Sequence, residues 1–392
     1  MARDGISPAG WLRLHARASC GDLDRIRAEL TSILRCVDCG ATPPADVLGL
    51  DVWSHDDGSS KPDEILEGKL TCGACGATYP IINGVPRVLP ANLRTALSDH
   101  YPDFFAANRA RLDAVGPTGE GFETEGMLHV MRAFGFEWNE FDDYSHENFE
   151  EWVDVDTSFF DGKFGLDAGC GAGRHSVKAH GYGARMISMD LSPAVDAAQA
   201  KARMIDGMDV VQGDIFNPPF AEATFDFIYS IGVIHHTPDP PRAFASLVPY
   251  LRSGGSIITL VYASGRPKAL GLLAAIRKVS TRLPLRVTKG LSWLAAAIDT
   301  VFPITIYRVL LACRFPKSLL DKVTPEHVRI YAATNFEITY TDWLDRLSYP
   351  YVHYYDVEDV TGWYERAGLD DVKVRFLGTY GVNGFGTVPS KG

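Results

Sequence analysis

The chain offers no obvious bilayer-spanning run, carries no overall positive charge, and uses cysteine only seven times in 392 residues. Each scarcity excludes something. The first twenty residues set Arg3, Asp4, Arg13 and Arg17 among short apolar runs, without the continuous hydrophobic centre and small-residue cleavage site of a secretory signal. A cytoplasmic location is the expectation. The most apolar later stretches, 269–276 and 291–313, are too short or too interrupted by Asp299, Pro303 and Arg308 to predict a transmembrane segment. A formal net charge of −11 argues against nucleic-acid binding spread over the whole surface. The length suffices for two domains and a sizeable core without disulfides.

The cysteines that are present have a pattern. Cys20, Cys170 and Cys313 stand singly, whereas Cys36-Val-Asp-Cys39 and Cys72-Gly-Ala-Cys75 form two C-x-x-C pairs, each followed by glycine. In a cytoplasmic chain this spacing reads as metal rather than disulfide, and four thiolates are what a structural zinc takes. A four-thiolate site leaves no open coordination position, so the zinc is expected to staple the fold rather than touch substrate. Leu23, Ile26, Leu30, Ile33 and Leu34 recur at helical spacing before the first pair, and 56–60, Asp-Asp-Gly-Ser-Ser, reads as a loop tip between the pairs. After the second pair, two apolar runs flank Asn83-Gly84, a strong hairpin signal.

From Lys163 an α/β rhythm begins. Short apolar runs ending near Asp167, Asp190, Asp214, Ser230 and Tyr262 alternate with helical stretches, which predicts a parallel, doubly wound sheet with a ligand at the carboxyl ends of its strands. Two further strands, 371–377 and 384–388, follow a helix started by Asp356. Asp167-Ala-Gly169-Cys-Gly171-Ala-Gly173 is a strand-to-helix turn in which backbone can approach a bound group closely. Asp190, 23 residues beyond Asp167, sits where a carboxylate can accept both ribose hydroxyls of a nucleoside, and Asp214 can accept from an exocyclic amine.

Two resemblances follow from these motifs. The paired C-x-x-C, followed by Tyr79-Pro-Ile-Ile-Asn-Gly-Val-Pro-Arg-Val-Leu-Pro90, resembles the small zinc-ribbon protein that activates tRNA, rRNA and protein methyltransferases as a separate subunit; here it would be fused in cis over about 30–92. The set of Asp167 to Gly173, Met189-Asp190-Leu191-Ser192, Gly213-Asp214, Phe225-Asp226 and Ser230-Ile231-Gly-Val-Ile-His235-His236 resembles the class I S-adenosylmethionine methyltransferases of the small-molecule type. That resemblance implies a Rossmann-like α/β fold with a seven-stranded sheet, its last strand antiparallel, beside a small β-rich zinc ribbon. It also implies S-adenosylmethionine as cofactor, held by Asp167, Gly169, Cys170, Gly171, Gly173, Asp190, Leu191, Gly213, Asp214, Ile215, Ser230 and Ile231. The expected organisation is a helix plus ribbon over 1–92, an aromatic-rich connector over 93–160, and the catalytic domain over 161–392 with an inserted helical lid over 265–340. Within the connector, Phe134, Phe136, Trp138, Phe141 and Tyr144 resemble the segment that folds over the cofactor, while on physical grounds alone such a cluster reads first as core or interdomain packing.

Methyl transfer from a sulfonium is an in-line displacement carried mainly by positioning and exclusion of water, with a base needed only for an acceptor that arrives protonated. His235 and His236, just past the fourth core strand, and then His353 are the candidate bases. Asn217-Pro-Pro-Phe220 spells a tetrapeptide by which some amino methyltransferases hold a planar nitrogen, but it follows the third core strand rather than the fourth and is expected to close a loop. The region 266–322 holds eleven Lys or Arg against Asp299 and Asp321, a charge of +9 inside a chain of −11. Such a lid suits a small or lipid- or phosphate-linked anionic substrate, or peripheral contact with an acidic membrane; the alternative is a protein (lysine) or RNA substrate met by the basic lid and the ribbon.

Overall fold

The computed structural model describes residues 30–42, 48–55, 65–112, 124–140, 148–264, 267–377 and 381–390. The expected helix at Leu23 and Ile26, the loop tip at 56–60, Cys20, Phe141 and Tyr144 lie outside them.

Four strands form an antiparallel meander, β1 (Leu48–His55), β2 (Ile65–Cys72), β3 (Thr78–Ile82) and β4 (Val85–Val88). Asn83 and Gly84 both take positive φ, 55° and 80°, as the two-residue turn between β3 and β4 requires. After three short helices within 91–107, helix α1 (Thr124–Glu140) crosses, and beyond a short helix at Phe149–Val153 a βα alternation sets β5 (Phe164–Ala168), α2 (Arg174–Gly181), β6 (Arg185–Asp190), α3 (Val195–Ala202), β7 (Met208–Gly213), β8 (Phe225–Ile231), α4 (Pro240–Leu247) and β9 (Leu251–Val261). These strands are apolar on both faces because helices cover both faces of the sheet. The helical segment follows, with α5 (Pro267–Ser280), α6 (Leu285–Asp299), a π-turn (Thr300–Ile304), α7 (Thr305–Ala312), two short helices and α8 (Phe336–Ser348). Helix α9 (Val357–Arg366), opened by a capping box between Asp356 and Asp359, leads to β10 (Asp370–Leu377) and β11 (Gly381–Thr387).

The expectation of a seven-stranded sheet beside a separate ribbon gives way to one sheet of eleven strands, in the order β1-β2-β3-β4-β7-β6-β5-β8-β9-β11-β10. Seven strands come from 164–387; the other four join because β4 pairs in parallel with the open edge of β7, through Arg87 opposite Gln212 and Val88 opposite Gly213. Pairing removes an exposed edge from each unit. The join is held by buried charge. Fully buried Arg87 donates to Gln212 Oε1 at 3.1 Å, Ile82 O at 2.9 Å and Asp196 Oδ1 at 2.6 Å, and its guanidinium lies over the Tyr101 ring. β10 and β11 close the opposite edge, both antiparallel to their neighbours.

The tetrapeptide Asn217 to Phe220 belongs to the same join. Asn217 Nδ2 donates to Val37 O at 2.9 Å, Arg35 Nε donates to Pro218 O at 3.0 Å, and Arg35 N donates to Pro219 O at 3.0 Å. It grips the ribbon.

The helical segment departs from expectation in one respect. Asp299, Pro303 and Arg308 do not break it, because the π-turn absorbs the N–H missing at Pro303 and helix continues from Leu285 to Ala312. Among the described residues this 28-residue helix is long and apolar enough to cross a membrane by length and composition, and 17% of its most apolar window is buried.

Candidate functional site

At the carboxyl ends of β5, β6, β7 and β8 lies a cavity of about 850 Å³ counted out to its mouth. Its floor is the turn after β5. Gly169 N and Cys170 N both donate to Met189 O, at 2.7 and 3.0 Å, which folds the turn back over the end of β6. Gly171 N then reaches Asp190 Oδ2 at 2.9 Å. Gly171 has φ of 52°, and a Cβ there would come within 3.2 Å of the Trp138 ring, so glycine is needed for both conformation and clearance. Gly173 opens α2 at φ of 77°, and its missing Cβ lets Ala198 of α3 approach, a packing role rather than a ligand contact.

The roof is α1. Its Met127, Val130, Phe134 and Trp138 share one helical face and turn it to the cavity. Gly135 lets the helix press on Pro193, and Asn139 Nδ2 donates to Pro193 O at 3.2 Å, which fixes the roof over the β6–α3 turn.

Of the twelve expected cofactor residues, Gly169, Cys170, Gly171, Asp190, Leu191, Gly213, Ile215 and Ile231 line this cavity. Asp167, Gly173, Asp214 and Ser230 stand behind the wall. Asp167 accepts from Ser176 Oγ at 2.7 Å and Tyr229 OH at 3.2 Å, and burial pushes its carboxyl up to about 7 against those two bonds. Asp214 is pushed up to about 6 by burial while it accepts from Phe216 N at 3.0 Å. Ser230 Oγ donates to Ala168 O at 2.8 Å and ties β8 to β5. Asp190, on the wall, is likewise raised by burial, partly offset by Ser192 N and Oγ at 2.8 and 2.7 Å.

The three histidines separate. His236 alone lines the cavity, edge-on to Phe134. Its Nδ1 lies 3.1 Å from Tyr351 O, so that nitrogen carries the proton and donates; Nε2 faces Asp345 Oδ1 at 3.4 Å. Asp345 in turn accepts from Tyr262 OH at 2.8 Å. Burial holds His236 below its ordinary range, with Asp345 acting to raise it. His235 is wholly buried against the Tyr262 ring, off the cavity wall, and is held well down by burial; among the described residues neither of its ring nitrogens finds a hydrogen-bond partner. His353 is also off the wall, its backbone N–H donating to His235 O at 2.9 Å.

Asp345 was not singled out by the sequence, nor was Glu137. Glu137 is buried beside Asp345 and Asp342, and burial first, then those two charges, pushes it well above the usual carboxylate range. Only the fold brings α1 and α8 together. Arg174 and His175 on the wall were also passed over, although they directly follow Gly173. Arg174 is set between the rings of Trp138 and Trp152, 5.8 and 5.7 Å from their centroids.

The four ribbon cysteines lie outside the cavity, and their sulfurs fall within 4.8 Å of one another. Cys36 N and Cys72 N donate to Ala41 O and Ala77 O, and Gly40 N and Gly76 N to Cys36 O and Cys72 O, so the two knuckles repeat one backbone pattern. The buried Tyr79 OH lies 3.1 Å from Cys36 Sγ, a donor for a thiolate. The donor set fits a closed zinc site.

Residues 166–259 match the family described as a methyltransferase domain, and residues 27–84 match the Trm112p-like protein family. Among curated relatives, the malonyl-[acyl-carrier protein] O-methyltransferase of Serratia marcescens is 34% identical over 107 residues, 27% of this chain and 41% of that protein. The phthiotriol/phenolphthiotriol dimycocerosates methyltransferase of Mycobacterium leprae is 34% identical over 108 residues, 27% of this chain and 39% of that protein. The chain thus spans about two fifths of the length of these relatives. Among solved structures, a chain from the complex of the Haloferax volcanii Trm112 methyltransferase activator with a methyltransferase is similar at 14% identity and a TM-score of 0.38, over 67% of this chain and 97% of that one. The cofactor of this domain class is S-adenosylmethionine, and the cysteine cluster is a structural zinc site.

Proposed function

We propose, for a chain that joins a Trm112p-like zinc ribbon to a methyltransferase domain of the S-adenosylmethionine-dependent class, that it transfers a methyl group to a small or lipid-linked acceptor carrying an ionisable O–H or N–H. The observation that carries the cofactor half of this reading is Asp190, a half-buried carboxylate on the cavity wall at the tip of β6, tied to the glycine turn through Gly171. Gly171 N, Ser192 N and Ser192 Oγ fix this carboxylate in place, and it keeps acceptor capacity for two ribose hydroxyls in the cavity. The apolar Met189, Leu191 and Ile215 suit a base, Asp214 behind them can accept from its amine, and Arg174 offers charge to a carboxylate. When bound, the cofactor supplies an electrophilic methyl on a sulfonium.

The protein's own work is then positioning and proton handling. α1 covers the cavity and excludes water. His236 and Asp345 can hold one proton between Nε2 and Oδ1, with Nδ1 fixed by Tyr351 and Asp345 fixed by Tyr262, so the pair can take the proton an acceptor loses. Its spacing of 3.4 Å is loose and can tighten around an acceptor. The Trm112p-like ribbon, with its cysteines away from the cavity, serves the edge of the sheet.

Calorimetry tests this directly. Wild type should bind S-adenosylmethionine, and Asp190→Ala should weaken binding by about a hundredfold, the worth of two charge-assisted hydrogen bonds. No binding to wild type would sink the proposal. Asp345→Asn and His236→Ala should lower turnover by about 10²-fold or more while cofactor affinity stays. Because burial lowers His236, the neutral form persists below the ordinary 6.5, and the part of turnover that His236→Ala removes should be constant at neutral pH and be lost only as pH drops below 6.5.

A further inference from the structure

The helix Leu285–Ala312 is amphipathic with its apolar side outward. Its buried positions in α6, Thr288, Ser292 and Ala296, are small and mostly hydroxylated, and pack inward: Ser292 Oγ donates to Trp343 O of α8 and Thr288 Oγ1 to Ser280 O of α5. The large apolar side chains point to solvent. Trp293 is 53% exposed, Ile298 50% and Phe302 61%, and Val287, Leu291, Leu294, Val301, Ile306 and Val309 join them. Eighteen large hydrophobic residues are exposed among those described, and fourteen fall between Ile276 and Val323. A contiguous apolar surface of this kind on a soluble domain marks an interaction site.

Charge selects the partner. Exposed Lys278, Arg282 and Arg286 stand at one end of the helix, and exposed Arg314, Lys317 and Lys322 at the other. The two acids of the segment are turned inward, Asp299 accepting from Trp343 Nε1 at 2.8 Å and Asp321 from Tyr307 OH at 2.7 Å. We infer that this face is a monotopic membrane anchor, in which the helix lies in the plane of an anionic lipid surface with its outer side chains among the acyl chains and its basic ends at the headgroups. A second copy of the chain would set +9 against +9. A spanning helix would have to leave α8, strip the hydrogen bonds of Thr288 and Ser292, and free Asp299 from Trp343. Lying flat keeps all of these. The same layering puts α8, which carries Asp345, between the anchor and the cavity roof.

Vesicle sedimentation of the full chain tests the inference without cofactor, and so independently of the methyl-transfer reading. The protein should pellet with vesicles of phosphatidylglycerol and phosphatidylcholine, less with phosphatidylcholine alone, and less at high salt. Trp293→Ser with Ile298→Ser and Phe302→Ser should reduce partition about tenfold or more while the melting temperature and S-adenosylmethionine binding stay unchanged. Lys278→Gln with Arg282→Gln and Arg286→Gln should reduce only the preference for anionic vesicles. Three results would overturn it: no pelleting with any vesicle; a dimer in solution that the serine variant makes monomeric, which would assign the face to a second copy; or membrane association that resists alkaline carbonate, which would make the helix a span.

Discussion

The two flanks of this molecule handle unusual surfaces in opposite ways. At the ribbon flank, charge is buried and answered: Arg87 lies inside the protein with Gln212, Ile82 and Asp196 around it, and Asn217 holds Val37. At the helical flank, apolar bulk is exposed and unanswered among the described residues, while the inner contacts are made by Thr288, Ser292 and Ala296. Where the partner is part of the chain, both sides of the interface are present and the buried charge of Arg87 meets partners across it. An apolar face left outward points to a partner outside the chain.

The contrast can be tested from its strongest side to its weakest. Removing the zinc, by chelation or by Cys72→Ser, should do most: structural zinc contributes on the order of 10 kcal/mol to folding of such units. Metal analysis should fall from one zinc per chain, and the β4–β7 join should lose protection in hydrogen exchange. Next, Arg87→Ala leaves Asp196 and Gln212 facing a buried gap and should cost about 3 to 5 kcal/mol in chemical denaturation. A cost near zero would mean that the join is ornamental. On the other flank, Ala296→Leu overfills the contact between α6 and α8 and should cost about 1 to 3 kcal/mol. Smallest of all, Phe302→Ser on the outer face should change stability by no more than about 0.5 kcal/mol, despite removing a large side chain. A loss of core size there would show the face to be covered in solution and erase the contrast.

Much of this was legible beforehand, and the reason is local. Periodicity marked the core strands, since buried parallel strands must be apolar along their whole length, and Asn83-Gly84 marked its hairpin because few residues accept positive φ twice. The C-x-x-C-G knuckles and the glycine turn at Gly169 to Gly173 are short-range geometries that a chain writes in consecutive residues. So is Asp190, which answers Gly171 across two adjacent strand ends.

What stayed hidden depends on distant segments meeting. Asn217 looked like a ligand-binding tetrapeptide or a plain loop, and only the join showed that it grips Val37, 180 residues away. His235 and His236 are neighbours in sequence with the same chemistry, yet one packs blindly on Tyr262 and the other reaches the cavity, because a turn of chain sends adjacent side chains apart. Asp345 became part of the site only when α8 folded against the β8–α4 turn. The sequence by itself determined the glycine turn, the zinc knuckles and the sheet's core, all set by backbone sterics and burial within a few residues. The tertiary structure alone decided which histidine faces the cavity, that the ribbon's sheet and the core sheet are one, and that the longest helix turns its small residues in and its large ones out; pairing and packing between remote segments have no signature in the order of residues alone.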